Sequence, residues 1–276
     1  MSDHVFEHDG IRFRYRDLGA GVPFVWQHGL GSDLGVNFDL LPPPPGTRLL
    51  GLDARGHGET RPLGPVEKLS IPSTVDDVAA WLDHLGVERA IVGGISMGAA
   101  IALRFACRFP GRVIALVLSR PAWLDRPRPE NLIMFEEIAA LIREFGVDEG
   151  KRRFADSATY RAIRSASPDA AVVLLGQFDH PRAGETFEKY AAITASSPGE
   201  DRSDWASIVV PTLILANELD PIHPPEIARV LHETIPGSEL VEITPKSVSL
   251  ERHAADVREA IGRFTSALPE VRAALG

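Results

Sequence analysis

The chain has 276 residues, 44% hydrophobic and 24% charged, with a formal net charge of −9. That composition excludes an intrinsically disordered chain, a collagen-like chain and a disulfide scaffold, and the length suffices to bury a full core without metal or cross-link. The acidic balance, with no Lys/Arg run, argues against nucleic acid or an acidic membrane surface as partner. The single cysteine, Cys107, is compatible with a reducing cytoplasm, where we expect the protein. The opening MSDHVFEHDG lacks a basic or apolar signal region. No uncharged apolar run reaches the ~18 residues of a membrane span.

Val5–His8, the turn dipeptide Asp9-Gly10 and the alternating Ile11–Arg16 predict a hairpin. Pro23–Trp26 and Arg48–Asp53 read as buried strands, with Pro42–Pro45 a short rigid turn between them. Ser73 reads as an N-cap, with Asp76 three residues on, for a helix that keeps its apolar spacing to Leu85. Arg89–Gly94 predicts a strand, Met97–Phe109 a helix stopped by Pro110-Gly111, and Val113–Leu118 another strand. Strands alternating with helices indicate an α/β sheet with parallel central strands. The rhythm breaks near Pro121. Residues 122–205 are helical and polar, including an amphipathic stretch over Asn131–Phe145. It resumes with a strand over Ile208–Leu215, a helix over Ile222–Leu231, a strand over Leu240–Ile243 and a helix over Leu250–Leu268. The middle segment is therefore an insertion in a sheet domain.

Gly94-Ile95-Ser96-Met97-Gly98 fits G-x-S-x-G between a predicted strand and a predicted helix. That context suits a sharp turn that projects the Ser96 hydroxyl, with glycines where side chains would clash. The helix N-terminus, starting at Met97, is then aimed at a developing oxyanion. His28-Gly29-Leu30-Gly31 follows the third strand, and the Leu30 N–H there is the expected second oxyanion donor beside Met97.

These segments together resemble the α/β-hydrolase fold superfamily. The resemblance rests on Gln27–Gly31, Asp53–Gly58, the serine elbow and Asn217–Pro224, in that order. It implies a mostly parallel central sheet flanked by helices, with residues 1–120 and 206–276 forming the core domain. Residues 121–205 would form a helical cap that closes over the nucleophile. Asp220 matches the family's acid, which orients the base, and Glu218 is the fallback. His28 and His57 fall in turns that are structural in the family. Serine rather than aspartate at the nucleophile position implies acyl transfer through an acyl-enzyme. No metal or cofactor is expected, and no Cys/His spacing suggests one.

The chain departs from the family pattern at the base. The stretch Ile243–His253 places Lys246 or Ser247, depending on the alignment, where the family has histidine. Three readings stand. His253, at the start of the last helix, acts as base. Alternatively Lys246 acts as base, which requires a strongly depressed pKa that a neighbouring Asp220 opposes. Or Lys246 neutralises Asp220 and the triad is dead. His223, so close to Asp220 in sequence, is expected at the pocket mouth and poorly placed as base. Trp123, Leu132, Met134, Phe135, Phe178 and Tyr190 either line the pocket or, for most, form the core of the insertion. The leading expectation is a small-molecule serine hydrolase of carboxylic esters, lactones or related acyl substrates. A fold-retaining sensing protein, or a lyase or isomerase using the same pocket, are the alternatives. A homodimer is compatible with the sequence.

Overall fold

A computed structural model describes residues 3–199 and 201–276. β1 (His4–His8) and β2 (Ile11–Gly19) form the expected hairpin, with Asp9 and Gly10 at φ 52° and 72° in its turn. β3 (Val22–Gln27), β4 (Thr47–Leu52), β5 (Ala90–Ile95), β6 (Val113–Ser119), β7 (Thr212–Ala216) and β8 (Glu239–Glu242) complete one eight-stranded sheet. Its order is β1-β2-β4-β3-β5-β6-β7-β8. The β1–β2 and β2–β4 pairs are antiparallel, and the others are parallel. Central strands buried on both faces carry no polar face, which is why Val113–Ser119 reads as a continuous apolar run.

The period-two alternation of these strands feeds two cores. Val92, Leu116 and Ile214 face one side, packing with α2 (Ile71–His84), α3 (Met97–Arg108) and α10 (Pro225–Thr234). Ile91, Val117 and Leu213 face the other, with α1 (Leu34–Leu40), α11 (Leu250–Ala267) and α12 (Pro269–Leu275). Between β6 and β7 run α4 (Ile133–Ala155), α5 (Ala158–Ala166), α6 (Pro168–Leu175), α7 (Ala183–Thr186), α8 (Glu188–Thr194) and α9 (Ser203–Ala206). No helix among the described residues is long and apolar enough to cross a membrane.

Several boundaries differ from those read in the sequence. The N-cap of α2 is Ser70, not Ser73: its hydroxyl accepts the Ser73 N–H at 3.2 Å, and Pro72 is tolerated in the first turn. The expected strand over 208–215 shortens to β7, because Val209 is exposed and Pro211 has no N–H to give. α10 starts at Pro225 rather than Ile222, whose N–H is taken by the Asp220 side chain. The stretch 131–145 is the first of two helical pieces joined at Gly146, whose φ is 75°. α1 and α12 were not expected.

One buried charge ties the helical segment to the sheet domain. Lys189 of α8 is 4% exposed, and its Nζ donates to the Gly56 carbonyl at 2.9 Å and to the Thr186 hydroxyl at 3.1 Å. Burial, with Arg182 nearby, brings this amine down from 10.5 to about 7. Between these values the unfolded chain holds a proton that the folded chain lacks, so raising the pH favours folding. In urea titrations from pH 7 to 10, the stability of the wild type relative to Lys189→Met should therefore climb, by at most about 1.4 kcal/mol per pH unit. A flat or falling difference would contradict a desolvated amine.

Candidate active site

β5 ends at Ile95, and α3 begins at Met97, so one residue, Ser96, makes the whole strand-to-helix turn. It does so at φ 58° and ψ −113°, a conformation an L-residue adopts only at a cost of order 1–3 kcal/mol. The turn can close because two neighbours lack side chains. A Cβ on Gly94 would stand 2.6 Å from the Gln27 carbonyl oxygen, and one on Gly98 only 2.1 Å from it. The Ser96 N–H is held by the Ser119 carbonyl at 3.0 Å, and its hydroxyl makes no capping bond to α3.

The loop after β3 lies beside this turn. His28 and His57 are fully buried and clip it to the loop after β4. His28 donates from Nδ1 to the Gly29 carbonyl at 2.8 Å, and its Nε2 accepts the Ala54 N–H at 3.0 Å. His57 donates from Nδ1 to the Arg55 carbonyl at 2.9 Å and accepts the Gly31 N–H at 3.1 Å. Burial lowers both pKa values and keeps the rings neutral, as their acceptor roles require. The Gly31 and Ser32 N–H groups are engaged, and the Leu30 N–H of the same turn makes no hydrogen bond among the described residues. The first N–H of α3, that of Met97, has no partner within its helix.

Ser96 opens onto a cavity of about 320 Å³. Leu30, Val36, Leu40, Ile95 and Ile222 give it an apolar wall, and Phe135, Val173 and Gln177 of the helical segment close one side. Its polar groups are Ser96, Arg120, His180, His223 and Lys246, with Asn37 and Ser32. Trp123, Leu132, Met134, Phe178 and Tyr190 are buried in the main core and do not line it; Phe135 alone of that group does.

Asp220 follows β7 in a tight turn after Leu219, whose φ is 60°. Its Oδ1 accepts the Ile222 and His223 N–H groups, each at 3.2 Å. Its Oδ2 accepts from Arg120 Nη1 at 3.0 Å and from His223 Nδ1 at 2.9 Å. Burial opposes the charge of Asp220, but His223 and Arg120 outweigh it and hold the carboxyl well below the usual carboxylate range. Burial likewise outweighs Asp220 at His223, whose pKa is lowered, so the ring is neutral at pH 7 with its proton on Nδ1. Its Nε2 is buried with no partner.

The other sequence-read bases stand elsewhere. His253 sits on the first turn of α11, 1% exposed, and donates from Nδ1 to the Thr244 carbonyl at 2.7 Å. Burial and Arg120 bring it down to about 4. It does not line the cavity, so the structure does not bring it to the wall that Ser96 shares with His223. What the loop after β8 presents to the cavity is Lys246, which Arg120 and burial bring down to about 8. Glu218, the fallback acid, instead pairs with Arg229. Sequence reasoning missed Arg120. Ile95 pairs with Ser119 across β5 and β6, and this register was the signal that could have found it, since the next residue on each strand is Ser96 or Arg120.

Fold and site together define a class. The chain belongs to the alpha/beta hydrolase fold family, whose model matches residues 22–247. It is 30% identical over 249 residues to the AB hydrolase superfamily protein YisY of Bacillus subtilis, covering 87% of this chain and 90% of that one. A pimeloyl-[acyl-carrier protein] methyl ester esterase of Neisseria meningitidis is 29% identical over 222 residues, or 78% of this chain and 67% of the esterase. Among solved structures, Est816, described as an N-acyl homoserine lactone degrading enzyme, superposes with a TM-score of 0.71. It is 25% identical, and the match covers 95% of this chain and 100% of that one.

The elbow makes a stability prediction. Gly98→Ala would press a Cβ against the Gln27 carbonyl, and backbone must yield. Overpacking of this kind costs about 3 kcal/mol. Urea denaturation should show that loss, and an unchanged midpoint would mean the helix start can slide without cost.

Proposed function

We propose that this protein is a small-molecule serine hydrolase that cleaves a carboxylic ester, lactone or related acyl substrate through an acyl-enzyme on Ser96. The observation that carries the reading is the left-handed Ser96 turn opening on a cavity that also holds a neutral histidine oriented by a carboxylate. The named activities of the esterase and lactonase relatives agree with it. In this reading Leu30 and Met97 supply the oxyanion N–H groups. The segment between β6 and β7 acts as the cap that shapes the pocket.

For the base we favour His223 over His253 and Lys246. Asp220 accepts a hydrogen bond from the Nδ1–H, which leaves the Nε2 lone pair to accept the serine proton and later return it to the leaving group. His253 is engaged away from the cavity wall. Lys246 beside Arg120 stays largely protonated below pH 8, and an ammonium accepts no proton.

One observation favours a second reading, a binding protein without turnover: the loop after β8 offers the cavity a lysine. Labelling by a fluorophosphonate, followed by intact mass, separates the two. The expected outcome is labelling abolished in Ser96→Ala, slowed by about 100-fold or more in His223→Gln, and maintained in His253→Gln. Because burial lowers the His223 pKa below 6.5, the rate should hold level through neutrality and fall only in acid below that value. No labelling anywhere from about pH 6 to 10 would sink the acyl-enzyme and leave the binding protein.

A further inference from the structure

The cavity holds more positive charge than the proposed chemistry uses. Arg120 is 7% exposed and lines the cavity beside Ser96 by sheet register. Its Nη1 reaches Asp220, but its Nε is buried with no partner. Lys246 lines the same cavity from the loop after β8. That loop is pinned to α11: Asp256 Oδ2 accepts the Thr244 N–H at 2.9 Å and the Thr244 hydroxyl at 2.6 Å, and His253 takes the Thr244 carbonyl. Arg120 bonds the carboxylate of Asp220, which is already shared with the His223 ring, and Lys246 feels the charges of Asp220 and, more weakly, Asp169. Arg120 and burial lower the Lys246 pKa more than these carboxylates raise it. His180, the remaining titratable group of the wall, adds no negative charge.

We propose that Arg120 and Lys246 form an anion subsite, and that the substrate is an acyl compound carrying a carboxylate at a short distance from the scissile carbonyl. The surrounding wall is apolar, so the spacer between carboxylate and carbonyl is aliphatic or aromatic rather than polar. Arg120 offers a planar fork to the carboxylate and Lys246 a point charge. Their reach sets the distance between the bound anion and the Ser96 hydroxyl, so the pair fixes which carbonyl is attacked. The inference rests on the serine-hydrolase reading only for the identity of the reacting group, since anion binding needs no turnover.

The test uses monomethyl glutarate, a monoanion at pH 7, and its neutral counterpart dimethyl glutarate. Calorimetric binding to Ser96→Ala should favour the monoanion by roughly tenfold or more, the scale of one charge-assisted hydrogen bond. Adding Lys246→Gln should remove most of that preference. Lys246 is chosen because Arg120 also holds Asp220. Equal binding of the two esters, tighter binding of the diester, or saturation by neither would overturn the subsite, as would a preference that survives Lys246→Gln. Turnover of the same esters by the wild type is read separately. Selective monoanion binding with no turnover supports the subsite and counts against the hydrolase, whereas preferred turnover of the diester overturns the subsite and leaves the hydrolase standing.

Discussion

The site depends on how closely the first turn of α3 approaches β3. Gly94 and Gly98 leave no room for a side chain against the Gln27 carbonyl. At that contact the chain reverses within the single residue Ser96. A longer turn would swing the hydroxyl off the sheet edge and separate it from the loop after β3. The close approach is first a matter of packing: at Gly94 and Gly98 the start of α3 meets the backbone of β3 with no side chain between them. The hydroxyl and the first N–H of the helix then share one small volume at the carboxyl edge of the strands.

Around that turn, polar groups in the interior act as rigid connectors. His28 and His57, with ring centroids 4.8 Å apart, join two loops that the sheet alone would leave independent. Asp53 extends the connection, accepting the Leu34 N–H at 2.8 Å and so fixing the start of α1. Lys189 brings the helical segment into the same network through Gly56. Each of these groups bonds to backbone, which is how a core carries polar atoms without losing order. The geometry that holds the Leu30 N–H is therefore a product of hydrogen bonds made by residues that do not line the cavity.

Much of this was legible in the sequence. The hairpin about Asp9-Gly10, the apolar strands and the serine turn all declare themselves by period or by turn chemistry, because in those segments local preference and tertiary packing agree. α1 escaped notice because it has only seven residues, one of them Gly35, and is fixed by the distant Asp53. The site was harder. Asp220 reads from the sequence as the acid and His223 as too close to it to be the base, yet a side-chain-capped turn at Asp220 folds the i+3 ring back onto the carboxylate. His253 is available on sequence position alone, but on α11 it is buried against the Thr244 carbonyl and does not line the cavity. Arg120 has no motif, since its position follows from strand register, a long-range property.

Arg120 has φ 44°, so two non-glycine residues in the left-handed region, Ser96 and Arg120, stand at adjacent strand ends. Glycine would relax either backbone, and neither position has it. The sheet edge is thus a place where the backbone carries conformational strain at two residues that border the cavity. A search for stabilising substitutions in this protein would be drawn to these two positions, and success there would come as a more stable fold whose cavity has lost two of its polar side chains.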